Sequence, residues 1–280
     1  ATWPGHQQAI ARADAAYPDR PYEAHKAWRE QVHRMIAGTL GVLVFALALV
    51  AAWRRRAQVW ALLAAAAAAL IGVFLYIQGT HDASAALSLI ALALPLFAAL
   101  RLERASPWRI AIVAFAVVIF QAMLGMWTVT LLLKPIVVLG HLLGGMLTFS
   151  LLGYVALRIT DTRVPTAEQR RLMPMVIGAL IVLGLQIALG GWTSANYAAL
   201  ACARDFPQCF GAWWPPTDFR GAFTLSRGIG VNYQGGVLDE PARAAIQIAH
   251  RIGALIVFVY IVATAAMAWR RGLRVLAAVA

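Results

Sequence analysis

Apolar residues in this chain gather into long runs, at about 34–53, 59–78, 84–100, 110–130, 136–157, 173–192 and 245–268. Each run approaches the ~20 residues that a helix needs to cross about 30 Å of hydrocarbon. The spacing predicts an all-α polytopic membrane protein with seven spans. Two polar stretches are long, residues 1–33 and 193–244, and alternation of the spans puts both on one side.

Composition agrees: the 280 residues are 61% hydrophobic and 13% charged, against roughly a quarter charged in an ordinary soluble domain. The net charge of +12 could suggest nucleic acid, but the positions of the charges say otherwise. Basic residues cluster in short stretches after alternate spans: Arg54, Arg55 and Arg56; Arg101, Arg104 and Arg109; Arg158, Arg163, Arg170 and Arg171; Arg270, Arg271 and Arg274. That is the positive-inside pattern of cytoplasmic loops. Most acids lie on the other side: Asp14, Asp19, Glu23 and Glu30, then Asp205, Asp218, Asp239 and Glu240. The charge sets topology in a lipid bilayer, and no nucleic-acid partner is expected.

Two stretches repeat. Glu30, His33 and Arg34 open one apolar run, and Gln247, His250 and Arg251 open another. Upstream of each stands an aromatic-proline step, Trp3–Pro4 and Phe206–Pro207. Internal duplication is common in membrane proteins, so the chain reads as two related half-bundles, 1–172 and 173–280. Within the first, 59–105 reads as an inserted helical hairpin. Its loop histidine, His81, reads as a surface residue, as do His6 and His25. On this pattern the chain resembles the middle of a larger protein, or a short version of one.

Cys202 and Cys209 share the long outer stretch of the second half. An exported pair favours a disulfide over a metal site, with a redox-active pair as the alternative. His33, His141 and His250 each sit near the outer boundary of a span, where an imidazole is costly unless paired or ligating. Three explanations compete with a satisfied structural histidine. A metal cluster would want converging carboxylates or cysteines, and only Glu30 is at hand. A proton relay would want deeper titratable groups. Haem held by imidazoles from facing helices needs only what is present. Gly140, Gly144 and Gly145 would then let a flat macrocycle approach the backbone. Arg34 and Arg251 are either boundary arginines snorkelling to headgroups or partners of haem propionates. Glu30 shares a helical face with His33 and could move protons at one site only, since its counterpart Gln247 cannot titrate. Trp127 and Trp192 read as interfacial anchors.

Several motifs occur in a familiar order: EQVHR (30–34), FQAMLGMWTVTLLLKP (120–135), GHLLGG (140–145), LQIALGGWTSANYAALAC (185–202), FPQC (206–209), NYQGG (232–236) and IQIAHR (246–251). With the loops between them they cover most of the chain outside 59–105, and they resemble the heme A synthase family. The resemblance implies two four-helix bundles with haem sites near the outer face of a bacterial inner membrane, long loops on the periplasmic side. His33 and His141 would flank the substrate, heme O, with Glu30 as catalytic carboxylate. His250 would ligate a haem b cofactor. Cys202 and Cys209 match a loop pair expected to form a disulfide. The implied reaction hydroxylates the C8 methyl of heme O twice and loses water to leave the formyl group of heme A. Heme O synthase and an electron donor are the implied partners, and a homo-oligomer stays open.

The chain departs from the family plan in lacking matches for its first, seventh and eighth helices, in lacking a cysteine pair in the first loop (His6 stands near that place), and in the hairpin at 59–105. The rival reading is a bis-histidine cytochrome b-type electron carrier or quinol oxidoreductase. Glu30 separates the two, because electron transfer needs no carboxylate beside one ligand pair. A transporter would want polar groups at mid-membrane, and the spans offer almost none.

Overall fold

In hydrocarbon no water can satisfy a peptide group, so a spanning segment must bond its own backbone. In the computed structural model the chain does this with helices, and every regular element among the described residues is α-helical or a short turn of helix. Those residues are 7–16, 22–103, 106–160, 166–202, 205–228 and 230–272. The helices are α1 (Gln7–Ala16), α2 (Ala24–Ala52), α3 (Arg56–Ile77), α4 (His81–Leu100), α5 (Pro107–Thr130), α6 (Pro135–Ile159), α7 (Thr166–Ala195), α8 (Phe219–Ala222) and α9 (Glu240–Arg270). Seven of them are long and apolar enough to cross a membrane, at the places the apolar runs predict. The protein is an integral membrane protein. The short helix α1, in the polar first stretch, has no counterpart in that reading.

Two compact units divide the chain, Ala1–Ile119 and Phe120–Ala280. In the first, α3 and α4 form a tight antiparallel hairpin. Its seam is closed by small side chains and two buried hydrogen bonds: Ser84 Oγ donates to Gly72 O at 2.8 Å and Gln58 Nε2 to Ala98 O at 3.2 Å. Phe45 of α2 packs on Phe115 of α5 with ring centroids 5.0 Å apart. A cleft of about 540 Å³ lies at the basic end of this unit, lined by Val50, Trp53, Arg54, Arg55, Glu103 and Trp108. None of the candidate ligands lies there. His25 and His81 are exposed, as expected of surface residues. His6, the Trp3–Pro4 step, Asp19, Arg104, Arg163 and Arg274 lie outside the described residues.

The second unit is built on α6, α7 and α9, with α7 packed against both of the others. Membrane helices gain little from burying apolar surface against each other, so they approach where side chains are smallest. Gly191 of α7 shows this: a Cβ there would stand 2.6 Å from Leu142 and 2.8 Å from Leu139, both on α6. Between α5 and α6 the backbone turns through Leu132 (φ 51) and Leu133 (φ 61), a conformation that disfavours branched side chains. Among the hydrogen bonds that hold it, Leu133 N donates to Thr128 O at 2.8 Å, and Tyr233 N to Leu132 O at 3.1 Å.

The long stretch 196–239 folds down over the ends of these helices. Trp192 is only 4% exposed and packs among Ala198, Ala222, Leu238, Ala245 and Ile246. Its Nε1 donates to Ala222 O at 2.9 Å. Trp192 is therefore a packing post for the loop and not the interfacial anchor that its place at a span end suggests. Trp127 is half-buried. Asp239 caps α9 by accepting from Ala242 N at 3.1 Å, with Pro241 in the first turn. Cys202 and Cys209 are joined in a disulfide that is buried against Ala244 of α9.

Truncating Trp192 to alanine is expected to destabilise the unit by about 3–5 kcal/mol, read as a lowered melting temperature in detergent. Replacing both Cys202 and Cys209 by serine should loosen the loop by about 2.5 kcal/mol through chain entropy, measured as faster proteolysis between 200 and 239.

Candidate functional site

The candidate ligands occupy equivalent places on their helices. His33 lies in the first third of α2, His141 in the second turn of α6 and His250 in the third turn of α9. The arginine-bearing ends of these three helices, at Arg54, Arg158 and Arg270, are the opposite ones. His33 belongs to the first unit; His141 and His250 belong to the second.

His33 is exposed, and so are its neighbours Glu30 and Arg34. Sequence spacing puts Glu30 and His33 on one face. The ion pair that forms there is one residue longer, with Glu30 accepting from Arg34 Nη2 across an i, i+4 turn. Carboxylate and guanidinium therefore act as one group beside the histidine. An exposed pair of this kind contributes only about 0.3–0.5 kcal/mol to helix stability, so its use lies in placing charge.

His141 and His250 are half-buried, and a similar arrangement surrounds each. A Cβ on Gly125 of α5 would stand 3.2 Å from Cε1 of His141, and a Cβ on Gly190 of α7 would stand 3.2 Å from Cε1 of His250. Each imidazole thus lies edge-on against a bare stretch of the neighbouring helix. Glutamines complete the match. Gln121, one turn before Gly125, sets its amide where a Cβ on Gly144 would be; Gln186, one turn before Gly190, does the same at Gly253. Gly144 and Gly253 each follow their histidine by three residues. The space at Gly144, expected to admit a macrocycle, is filled by Gln121. Gly145 has nothing within 4 Å of its Cβ position.

The two glutamines were missed in the sequence reading, although the signal was there. Gln-x-x-Leu-Gly-x-Trp-Thr occurs at 121–128 and again at 186–193, and His-x-x-Gly at 141–144 and again at 250–253. The second unit therefore contains a repeat of one helical hairpin, shorter than the half-length duplication. In the second copy Gln186 Nε2 is 3.0 Å from His250 Nδ1 and donates to His250 O at 3.1 Å. In the first copy Gln121 Nε2 is buried without a hydrogen-bond partner among the described residues.

Arg251 ties the loop to α9. Its Nη1 donates to Pro207 O at 3.2 Å and Gln208 O at 2.8 Å, its Nη2 to Asp205 O at 3.0 Å. The guanidinium also lies 5.4 Å from the centre of the Phe206 ring. A guanidinium has five N–H donors, and these bonds use three of them. The Phe206–Pro207 peptide they hold is cis and lies inside the disulfide loop between Cys202 and Cys209. Among the described residues no three histidine, cysteine, aspartate or glutamate side chains converge as metal ligands.

The chain was compared with known proteins. A protein of Shewanella oneidensis described as heme A synthase is 38% identical over 255 residues, covering 90% of this chain and 62% of that protein. The chain thus spans less than two thirds of its relative's length. No solved structure matches it. The COX15-CtaA family, described as cytochrome oxidase assembly protein, matches residues 1–81 and 81–280. With its paired histidine–glycine contacts, its loop disulfide and a match along its whole length, the chain belongs to that family.

Proposed function

We propose that this chain carries the haem-binding and acid groups of a heme A synthase, which oxidises the C8 methyl of heme O to a formyl group. The single observation that carries the reading is the seating of His141 and His250. Each ring is set against a glycine of the adjacent helix at the same contact distance, 3.2 Å. A histidine whose only task is to fill space between helices has no need of a glycine opposite its ring edge, nor of a repeat of that arrangement. The name of the Shewanella relative supplies the substrate class.

In this reading His33 and His141 flank the substrate haem, and His250 ligates a haem b cofactor. The residues fit such a group: imidazoles on separate helices, bare backbone at Gly145 beside one of them, and basic residues at both His-Arg steps. Arg34 and Arg251 are the propionate partners. For Arg251 the two N–H groups beyond its three loop carbonyl bonds suffice for one forked contact. Bound haem b supplies one-electron transfer from a donor to the substrate site. Glu30 is the catalytic carboxylate, exchanging protons as the methyl is hydroxylated twice, each time at the expense of an external oxidant, and water is lost. Arg34 holds that carboxylate on the turn next to His33. The half-bundles 1–172 and 173–280 then hold one haem each, with 59–105 as an insert. The long loops face the periplasm of a bacterial inner membrane. Heme O synthase is the expected source of substrate, and a Cys202–Cys209 redox role and a homo-oligomer belong to the same picture.

Glu30→Gln should keep the bound haem and lower heme A formation by about 10²–10⁴-fold. The check is the mass and absorption of porphyrins extracted from membranes that express the variant. Heme O without heme A is the expected result, and an unchanged yield of heme A overturns the reading.

A further inference from the structure

A histidine that binds iron through one ring nitrogen nearly always gives the N–H of the other to an acceptor, which fixes the ring and raises its donor strength. His250 has a built partner for that second nitrogen. Gln186 reaches it from the facing helix, its amide 3.0 Å from Nδ1, while Gly190 backs Cε1. Gly190 lies equally close to both ring nitrogens, so it is the Gln186 amide at Nδ1 that leaves Nε2 to meet iron.

We infer that Gln186 is a positioning residue that selects Nε2 of His250 as the haem ligand, acting through Nδ1. The inference rests on the haem-ligand reading above. In this structure Gln186 presents its NH2 group to Nδ1 and to the His250 carbonyl, which suits a ring with its proton on Nε2. Its Oε1 is buried with no hydrogen-bond partner among the described residues. Once Nε2 is bound to iron the proton resides on Nδ1. A half-turn of the amide then brings Oε1 to accept that proton and releases the carbonyl bond. One side chain thereby serves both forms of the ring, and the glycine at 253 leaves room for the amide beside the ligand. A glutamine fits this task better than a carboxylate, since it can face either form of the ring without adding a charge in the membrane.

The test compares three variants of the full chain purified with its haem: Gln186→Leu, Gln186→Glu and Gly253→Ala. Leucine keeps the volume and removes the hydrogen bond. Glutamate keeps an acceptor oxygen in either protonation state. Alanine at 253 pushes the amide away without altering it. Haem content per chain and the reduction potential of the cofactor haem are read together. Leucine and alanine should raise the potential, because an imidazole without an acceptor at Nδ1 is a weaker donor. They should also weaken haem retention by about 10–100-fold. Glutamate should restore both to the wild-type value or take the potential lower. A wild-type potential and haem content in Gln186→Leu overturns the role of Gln186 and leaves the ligand reading intact. If Gln186→Leu fails to fold, a potential in Gly253→Ala equal to that of Gln186→Glu overturns it equally. Wild-type protein that holds no haem, or His250→Ala protein that holds it at wild-type potential, overturns the ligand reading and this inference with it.

Discussion

The second unit depends on close approach between helices at positions that lack a side chain. Between membrane helices the usual hydrophobic drive is weak, and contact distance decides how much packing is gained. Here the approach is reciprocal. α7 offers Gly190 to His250 and Gly178 to Tyr260, while α9 offers Gly253 to Gln186. α5 offers Gly125 to His141, and α6 offers Gly144 to Gln121. Each polar side chain therefore sits in a slot cut into the opposite helix, where its ring or amide is fixed by shape before any ligand contributes.

The outer loop follows from that arrangement. A stretch of more than forty residues over a membrane bundle would leave many peptide groups unpaired, and this one is seated by contacts of several kinds. Trp192 rises from α7 and bonds Ala222 O; Asp239 caps α9; the disulfide packs on Ala244; Tyr233 N reaches the α5–α6 turn. The buried contacts lie mainly on the first turns of α9, whose Ala242, Ala244, Ala245 and Ile246 are all fully covered. Small residues there let the loop lie directly on the helix, just above the turn that carries His250.

Much of the fold was legible because bilayer thickness dictates it. A run of about twenty apolar residues ending in arginines has few other fates, and the seven spans fall where the runs do. The disulfide was legible from the compartment of the loop that carries both cysteines. Of the candidate site, the histidines alone stood out in the sequence. A histidine at a span boundary announces a cost that must be met, whereas Gln121 and Gln186 are single polar residues within apolar runs, and their meaning depends on which helix faces them. Trp192 misleads for a related reason: its place at a span end looks interfacial until a loop from thirty residues away covers it. Glu30 shares a face with His33 by spacing, and the ion pair it forms with Arg34 is one that the i, i+4 spacing also allows.

The guanidinium of Arg251 fastens the backbone at 205–208 to one turn of α9. Three carbonyls rest on the residue next to His250, with the disulfide closing the segment behind them. The exposed backbone at 205–208 and the turn that carries His250 are thus joined through one side chain.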